Sequence, residues 1–96
     1  MSVAIILCVD DEKNNRDLLR AVLVPRGFEV VEAADGPSAL AAAKEYHPSL
    51  ILLDVMLPGL DGYAVCRALK EDPETQDIPV IMVTALMSKA DRIMSI

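Results

Sequence analysis

The chain has 96 residues, 53% of them apolar, and a formal net charge of −6. That length fits one domain, and the apolar share is enough for a core and excludes a disordered chain. The acidic balance, with no stretch that concentrates Lys or Arg, speaks against contact of this segment with a nucleic-acid backbone or an anionic membrane.

Val3–Val9 is a continuous apolar and β-branched run that predicts a buried strand, closed by Asp10-Asp11. From Lys13 to about Val24 the spacing predicts a helix with Leu18, Leu19, Val22 and Leu23 on its apolar stripe, halted by Pro25 and Gly27. A second strand, Phe28 to Ala33, carries Glu29 and Glu32. Asp35-Gly36 makes a turn, and Pro37 suits the first position of an Ala-rich helix ending near His47-Pro48. Leu50–Asp54 is the third strand. After Pro58-Gly59, Asp61 is placed to cap a helix from Gly62 to about Asp72, with Tyr63, Cys66, Leu69 and Lys70 at helical spacing. Pro79 opens a fourth strand, Val80 to Thr84, and Ser88 and Asp91 have the spacing of a capping box for a last helix.

Strand and helix alternate throughout, which implies an α/β domain: a doubly wound parallel sheet with right-handed crossovers. Only the second strand, with its two glutamates, reads as a sheet edge; the other three read as central. The last helix has no stop signal before Ile96, so the expectation is one domain over residues 1–96, incomplete at its C-terminus, with at least one strand missing. The opening apolar run is too short for a signal peptide, and no run reaches the roughly eighteen apolar residues of a membrane span. The expected compartment is cytoplasmic. Cys8 and Cys66 fall inside apolar patterns without metal-type spacing and are expected as buried, reduced thiols.

In such a sheet, ligands bind at the C-terminal ends of the strands. Asp10, Asp11 and Asp54 stand at two of those ends. Gathered carboxylates repel one another unless a divalent cation holds them, and hard oxygen ligands suit Mg²⁺. The residues therefore predict an acidic, metal-binding pocket centred on Asp54. Helix capping accounts for an Asp here or there, but not for three at strand ends. Asn14, Asn15 and Arg16 follow the acidic pair and could border the pocket, although surface helix positions are the simpler expectation for them. His47 is expected at a helix end, and Met82, Met87 and Met94 in or near the core.

Asp10-Asp11 after the first strand, Asp54 after the third, Met56-Leu57-Pro58-Gly59-Leu60-Asp61-Gly62, and Thr84-Ala85 after the fourth together resemble the receiver domain of two-component response regulators. The resemblance runs from Ile5 to the end of the chain. It implies the flavodoxin-like strand order 2-1-3-4, with a fifth strand and fifth helix absent from this chain. It makes Asp54 the phosphoacceptor, Asp10, Asp11, Asp54 and the backbone carbonyl of Met56 the Mg²⁺ ligands, and Thr84 the switch hydroxyl toward the phosphoryl group. Ala85 would lie beside the phosphate, and Leu57-Pro58-Gly59 would shape the loop beside the acceptor. The implied function is a phosphorylation-dependent signalling switch, a phosphoacceptor that takes part in its own phosphotransfer and dephosphorylation rather than an enzyme. Its implied partners are a histidine kinase or phosphotransfer protein and a downstream output domain or target.

Receiver domains also carry a lysine at the end of the fifth strand, and Lys89, in the predicted fourth helix, is no substitute. These 96 residues alone are therefore expected to be impaired in phosphotransfer, and to self-associate or exchange strands through the uncovered fourth strand. Two other readings compete. Haloacid-dehalogenase-like enzymes also use an aspartyl phosphate, but in an Asp-x-Asp pattern, where this chain has Asp10-Asp11-Glu12. A non-catalytic receiver-like module for dimerisation or docking is the alternative function.

Overall fold

The computed structural model describes residues 3–55, 57 and 61–83. Four strands, β1 (Ile5–Val9), β2 (Glu29–Ala33), β3 (Leu50–Asp54) and β4 (Val80–Val83), alternate with three helices, α1 (Lys13–Leu23), α2 (Gly36–Tyr46) and α3 (Gly62–Glu71). All pairings are parallel and the order is β2-β1-β3-β4, as the resemblance implied. Thr84, the expected end of β4, and the last predicted helix with Met87, Lys89 and Met94 lie outside the described residues.

Strand side chains alternate between faces, and each face builds its own apolar layer. Leu7, Val9, Ile51 and Leu53 point to the side of α2 and α3, where Ala39, Ala43, Val65 and Leu69 close over them. Ile6, Cys8 and Val30 point the other way and meet Leu19 and Leu23 of α1. The predicted α1 stripe was too wide: Leu18 and Val22 are each 46% exposed. The inward line of α1 is Asn15–Leu19–Leu23, a four-residue spacing headed by a polar side chain that is itself buried.

Pro25 ends α1 as expected, but inside a 3-10 turn, Val24–Arg26, closed by left-handed Gly27 (φ 96°). α2 begins one residue before Pro37, and Asp35 caps it by accepting from the Ser38 amide at 2.8 Å. Asp61 caps α3 in the same way, accepting from the Ala64 amide at 2.8 Å. At the other end of α3, buried Thr75 donates its hydroxyl to the Leu69 carbonyl (2.7 Å). That bond satisfies a carbonyl the helix leaves without an internal partner.

β2 is a sheet edge, as its glutamates suggested, yet only Glu29 faces solvent. Glu32 instead takes two arginines from α1: Arg16 Nε at 2.9 Å and Arg20 Nε at 2.7 Å. Among the described strands β4 is the other outermost one, and Ile81 is 52% exposed. Cys8 is fully buried, whereas Cys66 is only half-buried; neither forms a disulfide.

Candidate functional site

β1 and β3 are neighbours in register, Val9 opposite Leu53. The next residue on each strand is Asp10 and Asp54, so the parallel pairing delivers two carboxylates to one end of the sheet. Both are buried, Asp10 at 6% and Asp54 at 2% exposure. The Asp10 backbone is anchored from two sides: its amide donates to the Ala33 carbonyl (3.1 Å), and its carbonyl accepts from Arg16 Nη1 (2.7 Å).

The Asp10 carboxylate is held as firmly. Oδ1 accepts from the Glu12 amide at 2.9 Å, and Oδ2 accepts from Asn15 Nδ2 at 3.1 Å. Burial pushes the Asp10 carboxyl above its ordinary pKa, and the Asp54 and Asp11 charges push the same way. The two hydrogen bonds pull it back only in part. Burial thus works against the charged form of Asp10, and a cation nearby would favour it.

Asp11 and Glu12 are exposed, and one oxygen from each lies with an Asp10 oxygen inside a 4.8 Å group. Three hard anionic oxygens at this spacing, with Asp54 on the adjacent strand, fit a divalent cation such as Mg²⁺ better than a soft metal. The Asp10 and Asp11 expected in the metal set are therefore together. Glu12 is an addition that sequence reasoning passed over as the residue after the aspartates. Glu12 is also the N-cap of α1. Met56, Thr84, Ala85, Pro58 and Gly59 lie outside the described residues, while Leu57 is buried in the α2–α3 layer.

Two further residues were underestimated. Asn15 and Arg16, expected at the surface, are buried and half-buried, and both bind Asp10. Gly62 opens α3 directly against the acceptor strand: its amide donates to the Val55 carbonyl (2.8 Å). A Cβ at Gly62 would stand 2.3 Å from the Asp54 carbonyl oxygen and 2.7 Å from the Val55 Cα. Only glycine allows that approach.

Residues 6–96 match the model of the response regulator receiver domain. The chain is 54% identical over 88 residues to the response regulator PleD of Caulobacter vibrioides, covering 92% of this chain and 19% of that protein. It is 52% identical to the probable transcriptional regulator ycf27 of Cyanophora paradoxa, covering 92% of this chain and 36% of that one. It thus spans well under half the length of these relatives.

Among solved structures, the N-terminal domain of a response regulator receiver protein from Methanoculleus marisnigri superposes with a TM-score of 0.84 at 34% identity, over 98% of this chain and 78% of that one. The receiver domain of the Pseudomonas aeruginosa sensor histidine kinase PA1611, which holds a magnesium ion in its active-site cleft, superposes at 0.82 and 33% identity, over 95% and 75%. No helix among the described residues is long and apolar enough to cross a membrane. With its strand order, its paired strand-end carboxylates and these matches, the chain belongs to the response regulator receiver domain family of two-component signalling.

Proposed function

We propose that residues 1–96 act as one receiver domain that accepts a phosphoryl group on Asp54, in a Mg²⁺-dependent transfer from the phosphohistidine of a histidine kinase or phosphotransfer protein. The observation that carries this reading is the buried Asp54 carboxylate at the end of β3, beside buried Asp10 on the adjacent parallel strand. An Asp54 oxygen attacks phosphorus as the donor phosphorus–nitrogen bond breaks. The electron pair of that bond leaves with the imidazole, which regains a proton, and an acyl phosphate remains on the chain.

Asp10, Asp11, Asp54 and the Met56 carbonyl are the residues we assign to Mg²⁺, the last by family resemblance. Bound there, the ion supplies the positive charge that lets an anionic phosphoryl group approach carboxylates in line. Asp10 is kept in register for this by Arg16, Asn15 and the Glu12 amide. Gly62 lets α3 start close against the acceptor strand. The Thr84 hydroxyl, again by resemblance, donates to the acquired phosphoryl oxygen and couples phosphorylation to a two-state rearrangement.

On this reading the chain is a signalling phosphoacceptor rather than an enzyme, and it passes its state to an output domain or target without touching nucleic acid or membrane itself. Within residues 1–96 the family resemblance assigns no lysine to the phosphoryl group, so transfer onto these residues alone is proposed to be slow. The exposed Ile81 and half-buried Val80 of β4 support self-association or strand exchange of the 96-residue chain, which sedimentation velocity over a concentration series tests. Beryllofluoride, a stable mimic of the phosphoryl group, tests the site. Its ¹⁹F resonance should show a bound species only with Mg²⁺ and only while Asp54 is present. Equal binding by Asp54→Asn would move the acceptor elsewhere.

A further inference from the structure

We propose that Asn15 is a positioning residue for the divalent-cation site, its one amide nitrogen bridging the Asp10 and Glu12 carboxylates so that they stand ready for the ion. This rests on the reading of Asp10 and Asp11 as Mg²⁺ ligands. Asn15 is a polar side chain at 8% exposure on the inward line of α1, where the next two turns place Leu19 and Leu23 against the sheet. Its Nδ2 lies 3.1 Å from Asp10 Oδ2 and 3.3 Å from Glu12 Oε1. A primary amide nitrogen carries two hydrogens, so one can be given to each carboxylate.

The choice of side chain matters. A lysine at this place would bring a fixed positive charge and compete with the cation. An aliphatic residue would leave the buried Asp10 carboxylate and the exposed Glu12 carboxylate with no shared donor between them. The amide is neutral: it fixes the rotation of the Asp10 carboxylate and the reach of Glu12 while leaving the negative charge uncancelled. Because the Glu12 amide already holds Asp10 Oδ1 at 2.9 Å, Asn15 completes the pair of contacts that orient both oxygens. Each oxygen retains a lone pair for a metal or for a metal-bound water. Partners that orient ligands in this way commonly set metal affinity by about ten- to a hundredfold.

The test is a Mg²⁺ titration of the ¹⁵N-labelled 96-residue chain, reading the Asp11 backbone amide and the side-chain amides of Asn14 and Asn15. The Asn15 amide should shift on the same saturation curve as Asp11, while that of exposed Asn14 stays still. Asn15→Leu keeps the volume and removes both donors; its Mg²⁺ Kd should rise about tenfold or more. Asn15→Gln should recover part of that loss, and Asn14→Leu should bind as the parent does.

A folded Asn15→Leu with unchanged Mg²⁺ affinity overturns the proposal. If Asn15→Leu does not fold, the parent chain decides, because an Asn15 amide indifferent to Mg²⁺ overturns it equally. A parent chain whose Asp11 amide ignores Mg²⁺, or shifts just as much in Asp11→Asn, overturns the reading of the site itself and the role of Asn15 with it.

Discussion

Gly62→Ala places a methyl group into the backbone that carries the acceptor. The new Cβ would sit 2.3 Å from the Asp54 carbonyl oxygen, 2.7 Å from the Val55 Cα and 3.0 Å from the Asp54 carbonyl carbon. All three are backbone atoms, so no side chain can rotate away, and relief requires α3 to part from the end of β3. That movement also stretches the hydrogen bond from the Gly62 amide to the Val55 carbonyl, now 2.8 Å. Overpacking of this kind costs about 1–3 kcal/mol, and the rigid partners place it at the upper end. Alanine recovers at most about 1 kcal/mol of helix propensity. The net loss is about 2 kcal/mol, which for a domain of this size lowers Tm by roughly 8–16 °C. Thermal unfolding followed by circular dichroism measures it. A Gly62→Ala chain melting with its parent would refute the argument that glycine is required by the approach to Asp54. Gly27→Ala is the contrast: nothing lies within 4 Å of its Cβ, and only the positive φ of 96° opposes the change.

Thr75→Val keeps the shape of a fully buried side chain and deletes its donor to the Leu69 carbonyl, so stability should fall by about 1–3 kcal/mol in urea unfolding. Burial pushes Glu32 up, but the hydrogen bonds and charges of Arg20 and Arg16 outweigh it and hold its pKa below the ordinary 4.5. A depressed carboxylate adds stability that is complete above the unfolded-state value and lost as pH falls through the folded one. The urea midpoint should therefore drop more steeply below pH 4.5 in the parent than in Glu32→Gln, and parallel pH profiles would count against the pairing. Burial, with the Glu32 charge, pushes the Cys8 thiol up to about 11. An alkylating reagent at neutral pH should label half-buried Cys66 first and reach Cys8 only as the chain unfolds, as mass mapping would show.

The strands were readable because buried parallel strands are continuous apolar runs, and their ends were readable because Asp10, Asp11 and Asp54 interrupt those runs. Tertiary partners were not. Counting every leucine and valine of α1 as inward put Leu18 and Val22 in the core and left Asn15 outside it. The sheet reaches only one line of that helix, and Asn15 is on it, four residues before Leu19 and eight before Leu23. That spacing was in the sequence, but a polar residue at the head of an apolar line is informative only once an anionic neighbour is known to meet it. Glu32 was legible as an edge charge, whereas its two arginine partners come from an element sixteen and twelve residues earlier. The role of Gly62 depended on how closely α3 starts against β3, a distance that local sequence does not encode.

The central claim is that Asp54 takes the phosphoryl group with the help of a divalent cation. Intact-mass spectrometry of the chain after incubation with Mg²⁺ and a small phosphodonor tests it most directly, with EDTA and Asp54→Asn as the two controls. A fraction of the parent chain should become heavier by one phosphoryl group, and that gain should be lost in both controls. The same mass gain in Asp54→Asn, or no gain by the parent chain under any of these conditions, would contradict it.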